Sequence, residues 1–212
     1  MKRIAQAFLQ QWKQSSERKP LVIRGARQVG KTWLMKEFGK NEYETVVYIN
    51  FENDRTLSQL FDTNFDIERI LKTLEIYSGK VIHKEKTLII FDEIQELPKA
   101  VTSLKYFYEN APEYHIITAG SLLGVALNRN TSFPVGKIAF FDLYPLNFIE
   151  FLWATEEHSL VELIKEKNRE IIPHFKDKFT ALLKTYFFTG GMPESVNQYI
   201  KDKNVLKVRT IQ

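Results

Sequence analysis

Apolar residues in this chain recur with two different spacings, and the changes between them mark out its elements. Ile4, Phe8 and Trp12 repeat every four residues, predicting an N-terminal helix whose one apolar face packs on the domain that follows, with Pro20 closing the connection. The continuous run Leu21-Val22-Ile23 predicts a buried strand, and Trp33 to Phe38, ending at Gly39, predicts a helix. Glu44 to Phe51 is rich in β-branched and aromatic residues and reads as a second buried strand. Ile67, Ile70, Leu71, Leu74 and Tyr77 mark a helix ending near Gly79, and Leu88 to Phe91 the next strand. Pro98, suited to a first helical turn, opens a helix with Val101, Leu104 and Tyr108 on one face. Ile116-Ile117 and Ile138 to Phe141 supply two more strands.

Strands that alternate with helices over residues 1–143 predict an α/β fold, a doubly wound parallel sheet covered on both faces. From Leu143 onward helical signals take over, with Leu160, Leu163 and Ile164 in one segment and Phe175, Phe179, Leu182, Leu183 and Tyr186 in another. The expected organisation is therefore a core over 1–143, including the N-terminal helix, and a small helical portion over 144–212. No internal repeat or low-complexity linker separates them, so close packing is expected.

The composition, 44% hydrophobic and 26% charged over 212 residues, is ordinary for a globular chain. There is no run of eighteen apolar residues, and Met1-Lys2-Arg3 leads into an amphipathic segment rather than a signal-peptide core, so no membrane association is expected. With no cysteine, disulfides and thiolate zinc sites are excluded, and the cytoplasm is the default location. His83, His115, His158 and His174 show no ligand spacing, and no metal beyond magnesium is expected. The net charge of +4 is interspersed with acids almost everywhere. Lys201 to Arg209, the most basic stretch, reads more readily as a solvated helix face than as a phosphate-tracking groove, which leaves nucleic-acid binding open.

Chemistry enters directly after the first predicted strand. Gly25-Ala26-Arg27-Gln28-Val29-Gly30-Lys31-Thr32 fits G-x-x-x-x-G-K-[ST], in which two glycines let successive backbone N–H groups converge on phosphate oxygens. Lys31 adds a point charge at the β- and γ-phosphates, and Thr32 offers a hydroxyl to Mg²⁺. The helix that begins here, with Trp33 in its first turn, presents its positive end. A nucleoside triphosphate is the expected ligand. About sixty residues on, Asp92-Glu93 closes an apolar strand, as in a Walker B motif. Taken alone, the pair also fits a strand ending in solvated acids; with the loop before it, Asp92 is expected to hold the metal and Glu93 to polarise the attacking water. A strand and helix lie between the two motifs, which suits the ATPase division that carries a catalytic Glu, and no N-K-x-D guanine motif occurs. ATP is therefore favoured. Ser121, after the next strand, is placed as a polar sensor of the γ-phosphate, and it equally fits a helix N-cap before Leu122-Leu123-Gly124.

The run Arg18 to Thr32 resembles the bacterial and archaeal AAA-type ATPases usually joined to a C-terminal domain of unknown function. Ile90 to Gln95, Ala119-Gly120-Ser121, Leu143 to Leu152 and Gly190-Gly191-Met192-Pro193-Glu194 resemble further blocks of that family, in its order. The resemblance implies an AAA-like P-loop core, Mg-ATP as ligand and ATPase activity. Cores of this type often complete their sites from a neighbouring copy, which makes a homo-oligomer one expected arrangement.

Two features depart from the family. Where members often carry Gly-Arg before the last core strand, this chain has Gly136-Lys137, and a lysine does not reproduce an arginine fork. The chain also stops within Val205 to Gln212, where relatives continue, so a truncated product is expected. Arg24, Arg27 and Arg129 are further candidates for phosphate contact. The aromatic run Phe140, Phe141, Tyr144, Phe148, Phe151 and Trp153 is expected to be core, and Gly190-Gly191 a helix C-cap turn. Three functions follow as alternatives: an ATP hydrolase acting on an unidentified protein or nucleic acid, an ATP-dependent switch with negligible hydrolysis, or a nucleic-acid-processing ATPase.

Overall fold

The computed structural model describes residues 1–52, 57–61, 64–120, 134 and 136–204. The chain divides into two compact units, Ala7–Leu143 on one side and Met1–Gln6 with the chain from Tyr144 on the other.

The first unit is built on five parallel strands: β1 Leu21–Arg24, β2 Thr45–Asn50, β3 Thr87–Asp92, β4 His115–Gly120 and β5 Ala139–Asp142, in the order β2-β3-β4-β1-β5. All five coincide with the apolar runs. β3 and β4 are buried at every position, as expected for inner strands covered on both faces. Side chains alternate along the strands: Val47 and Ile49 of β2, Ile89 and Phe91 of β3 and Ile116 of β4 join one core with helices α3 (Ile67–Ser78) and α4 (Pro98–Asn110), through Ile70, Leu74, Leu104 and Phe107. On the other face Val46 and Leu88 meet helix α2 (Lys31–Glu42) at Gly39, where an added Cβ would lie 2.7 Å from Val46 Cγ2. α3 is capped by Asp66, which accepts from the backbone of Glu68 and Arg69, and it stops at left-handed Gly79.

This topology decides where a ligand can sit. β1 sends the chain across to β2 at the far edge, whereas β4, its neighbour, sends it the other way to β5. The crevice beyond the carboxyl ends of β1 and β4 is thus a topological switch point. β3, with Asp92 at its end, lies one strand further over, roughly 10 Å from β1.

The N-terminal helix α1 spans Ala5–Gln14, and its buried residues are Ala5, Leu9 and Trp12; of the predicted row Ile4, Phe8 and Trp12, only Trp12 is fully in the core. Ile4 precedes the helix and is 46% exposed, and its N–H donates to the Glu150 carboxylate at 2.8 Å. Phe8 stacks on Phe141 of β5 at 4.4 Å between centroids. At the amino edge of the sheet His115 is buried, with Nδ1 2.7 Å from the Tyr43 hydroxyl. Burial, with Arg18 and Lys13 nearby, lowers its pKa to about 4.

The second unit is helical: α5 Phe148–Ala154, α6 His158–Lys165, α7 Lys176–Thr189 and α8 Pro193–Asp202. α5 begins with a capping box, in which Asn147 Oδ1 accepts the Glu150 N–H at 2.9 Å and Glu150 Oε2 accepts the Asn147 N–H at 3.0 Å. The other oxygen of Glu150 accepts from Arg3 Nε at 3.1 Å, both side chains being buried. Gly190, with φ 69°, ends α7 as expected of a C-cap glycine. Gly191 serves a different need. Its carbonyl accepts the Leu146 N–H at 2.7 Å, and a Cβ there would overlap the Leu146 backbone. Phe151 is fully buried beside Tyr186 and Tyr199, whereas Tyr144 is 70% exposed, so the aromatic run is divided between separate environments rather than forming one core. In α7 only Thr189 is buried; Leu183 of its predicted apolar side is exposed, as is Phe187. Among the described residues no helix is long and apolar enough to cross a membrane.

Two stability experiments follow. Glu150→Ala strands the buried Arg3 charge and opens the capping box, so urea unfolding should show a loss of about 3–5 kcal/mol. His115 is protonated more readily when unfolded than when folded. Its contribution is therefore complete above pH 6.5 and is lost as pH falls through about 4. The loss should reach roughly 3 kcal/mol, and a His115→Gln variant should show a flatter stability profile between those limits.

Candidate functional site

At the carboxyl end of β1 the backbone enters a loop that only particular residues can follow. Gly25 passes so close to the end of β5 that a Cβ would overlap the Leu143 carbonyl oxygen, and the Leu143 N–H donates to the Arg24 carbonyl at 2.7 Å. Gln28 and Gly30 both adopt positive φ, 63° and 97°. Val29 is fully buried and anchors the loop, leaving Ala26, Arg27 and Gln28 exposed. Gly30 is the N-cap of α2 and supplies no side-chain cap, so the first N–H groups of a twelve-residue helix have no side-chain acceptor there. Lys31, only 6% exposed, donates from Nζ to the carbonyls of Gly25 at 3.0 Å and Ala26 at 2.8 Å. Burial lowers its pKa, while Glu93 and Asp92 act to raise it.

Asp92 meets this loop from β3. Its Oδ2 accepts the Thr32 hydroxyl at 2.7 Å and the Tyr48 hydroxyl at 2.9 Å, and Oδ1 accepts the Glu93 N–H at 3.1 Å. The carboxylate is 2% exposed, and these three donors replace water around it. Tyr48 has its pKa pushed up to about 12 by burial and by Asp92, so its phenol stays a donor. Glu93 turns the chain in a left-handed conformation, φ 49° and ψ 44°, and its Oε2 accepts from Gln95 Nε2 at 2.7 Å. Gln95 Oε1 is buried and has no hydrogen-bond partner among the described residues.

The structure thus brings Lys31, Thr32, Asp92 and Glu93 together from α2 and β3. Gly25 through Gly30 form the turn leading to them, with Trp33 41% exposed on the first turn of α2. Hydroxyl and carboxylate oxygens are the hard donors that magnesium takes, and Thr32 with Asp92 fits it. No group of three or more His, Asp or Glu suited to a metal occurs among the described residues, but a magnesium ion shared with phosphate needs only one or two protein ligands.

Other candidates are engaged elsewhere. Arg24 forks onto Asp142 through two bonds of 2.8 Å and lies over the Phe140 ring. Lys137 pairs with Glu109 at 3.1 Å, near the start of β5 and the end of α4, at the sheet edge opposite the loop. Ser121, Arg129 and Val205 to Gln212 lie outside the described residues. The Thr118 hydroxyl on β4 is buried without a hydrogen-bond partner among the described residues. Tyr48 and Gln95 were not foreseen as site residues. For Tyr48 a signal exists, since Tyr48 and Asn50 interrupt the apolar pattern of β2 at its carboxyl end.

A family model described as an AAA domain matches residues 17–152, more than half of the chain and the whole stretch from the loop to α5. The chain belongs to the AAA domain family. It is therefore an AAA-type P-loop protein of a nucleotide-binding class, and the resemblance seen in its motifs extends to its fold. AMPPCP-bound DnaA from Aquifex aeolicus is 19% identical, with a TM-score of 0.52 covering 94% of this chain and 59% of that one. C. elegans PCH-2 is 12% identical, with a TM-score of 0.48 covering 97% of this chain and 65% of that one. This AAA chain spans less than two thirds of either structure, and the likeness to DnaA is one of fold. No curated protein matches it in sequence.

The tight seam at Gly25 can be tested. Gly25→Ala should destabilise the AAA domain by about 1–3 kcal/mol, since backbone must move to admit the methyl. Gly79→Ala is the control: its Cβ meets nothing within 4 Å, so only the left-handed backbone is strained and the loss in a thermal melt should be smaller.

Proposed function

We propose that the site binds Mg-ATP and hydrolyses it, and that the chain acts in the cytoplasm as an ATPase on a macromolecular partner. The observation that carries this reading is the 2.7 Å bond between Thr32 and Asp92, beside the uncapped start of α2. It joins the phosphate loop to the carboxylate strand at the position a metal-bound triphosphate requires. When bound, magnesium would neutralise charge on the β- and γ-phosphates and be held by Thr32 and Asp92.

In this reading the backbone N–H groups from Ala26 to Trp33 take the phosphate oxygens. The Lys31 ammonium exchanges the carbonyls of Gly25 and Ala26 for them. Glu93 accepts a proton from the attacking water, whose oxygen bonds to the γ-phosphorus as the bond to the bridging oxygen breaks, releasing ADP and phosphate. Gln95 orients the Glu93 carboxylate, and Ser121 is the candidate sensor of the γ-phosphate. Residues 1–143 are assigned to the ATPase core and 144–212 to a helical portion whose displacement would convey the nucleotide state. The triphosphate analogue bound by DnaA, a protein of the same fold, supports the choice of nucleotide.

A second reading, a nucleotide-dependent switch with negligible hydrolysis, is favoured by one observation. Lys137 stands where the resembled family often carries arginine, and it is tied to Glu109 at the edge away from the loop. So placed, Lys137 does not reach the loop within one chain, and the arginine's part at the γ-phosphate would fall to another residue, a second copy or a partner.

One set of measurements separates these. Lys31→Ala should abolish detectable ATP binding. Glu93→Gln should bind ATP within a few-fold of the native chain and slow single-turnover hydrolysis by about 10²–10⁴-fold. Equal single-turnover rates for Glu93→Gln and native protein would replace the hydrolase by the switch.

A further inference from the structure

Three donors hold Asp92, and the resembled motifs account for only two of them: Thr32 and the backbone of Glu93. The third, Tyr48, comes from a neighbouring strand. In the β2–β3 register Asn50 stands opposite Asp92 and Tyr48 opposite Ile90, so Tyr48 starts one pleat behind the carboxylate and uses the length of its ring to reach Oδ2 at 2.9 Å. The ring has further contacts. Lys36 of α2 places its ammonium 3.6 Å from the ring centroid, and Asn50 Nδ2 lies 3.4 Å from the phenol oxygen.

We infer that Tyr48 is a positioning residue for the metal end of the site, keeping the Asp92 carboxylate aimed at Thr32 when the Thr32 hydroxyl turns away to a ligand. The inference rests on the Mg-nucleotide reading above. Its logic is one of redundancy. Oδ2 accepts two hydroxyls, of which Thr32 is the one that magnesium would claim; with Tyr48 in place, Asp92 remains held through both oxygens after that exchange. Without Tyr48 the Thr32 exchange would leave Oδ2 with neither of these hydroxyls, and the carboxylate would be held by the Glu93 N–H on Oδ1 alone. Tyr48 therefore acts through Asp92 and is not itself assigned to the metal or the nucleotide. Lys36, four residues beyond Thr32 on α2, ties the same ring to the helix that the phosphate loop opens.

The test follows binding of a fluorescent ribose-labelled ATP to the full chain, first in EDTA and then across a Mg²⁺ titration, for native protein and Tyr48→Phe. Phenylalanine keeps the ring and its contact with Lys36 and removes only the donor. The expected result is unchanged affinity in EDTA and a Mg²⁺ midpoint raised by about ten-fold or more, the usual consequence of losing a hydrogen-bond partner of a metal ligand. An unshifted midpoint overturns the role of Tyr48 and leaves the nucleotide site standing. Equal weakening with and without Mg²⁺ overturns it too, because it would show a general structural role. If native protein binds the nucleotide without responding to Mg²⁺, the metal assignment and this inference fall together. If it binds no nucleotide under either condition, the proposed function falls with them.

Discussion

A carboxylate at the end of a fully buried strand must be solvated by the protein itself, and the arrangement of the sheet unit turns on how that is done for Asp92. An ionised carboxylate left without donors at 2% exposure would cost several kcal/mol. Here the donors come from the helix that follows β1, from β2 and from the next peptide of β3. Each can reach it only because the strands are parallel and end at one edge. The order β2-β3-β4-β1-β5 then leaves one strand of separation between loop and carboxylate, which Thr32 spans from α2.

The long apolar runs made the sheet legible. Runs such as Leu88 to Phe91 have no solvated face, and a strand without one belongs inside a parallel sheet covered by helices. The phosphate loop was legible for another reason: its glycines answer to backbone geometry, which spacing alone records. What periodicity could not show was phase at the N-terminus. Ile4 fits a four-residue repeat, but its N–H is needed by Glu150, nearly 150 residues away in sequence, and such a demand leaves no local mark. Tyr48 left a faint mark, as a polar interruption near the end of β2, but its partner did not: the hydroxyl meets Asp92 from a neighbouring strand, one pleat behind it. The Asn147 to Glu150 spacing, by contrast, is a readable capping box.

The helical unit shows how a family-like block can be structural. Gly191 is required because its backbone lies against Leu146, and Glu150 because it both caps a helix and neutralises Arg3. Neither residue needs a ligand to explain it. Gly191 against Leu146 joins the block at Leu143 to Leu152 with that at Gly190 to Glu194, and Glu150 ties the first of them to Arg3 near the N-terminus.

The seam between Gly25 and Leu143 has a steric meaning. Leu143 is the last residue of the sheet unit, and its N–H is bonded to Arg24 while its carbonyl blocks the space beside Gly25. The first peptide of the phosphate loop and the point where the chain leaves the sheet are therefore a single joint. A side chain at position 25 would therefore have to be admitted by the end of β5 as well as by the loop itself, which makes the choice of glycine there a property of two strands at once.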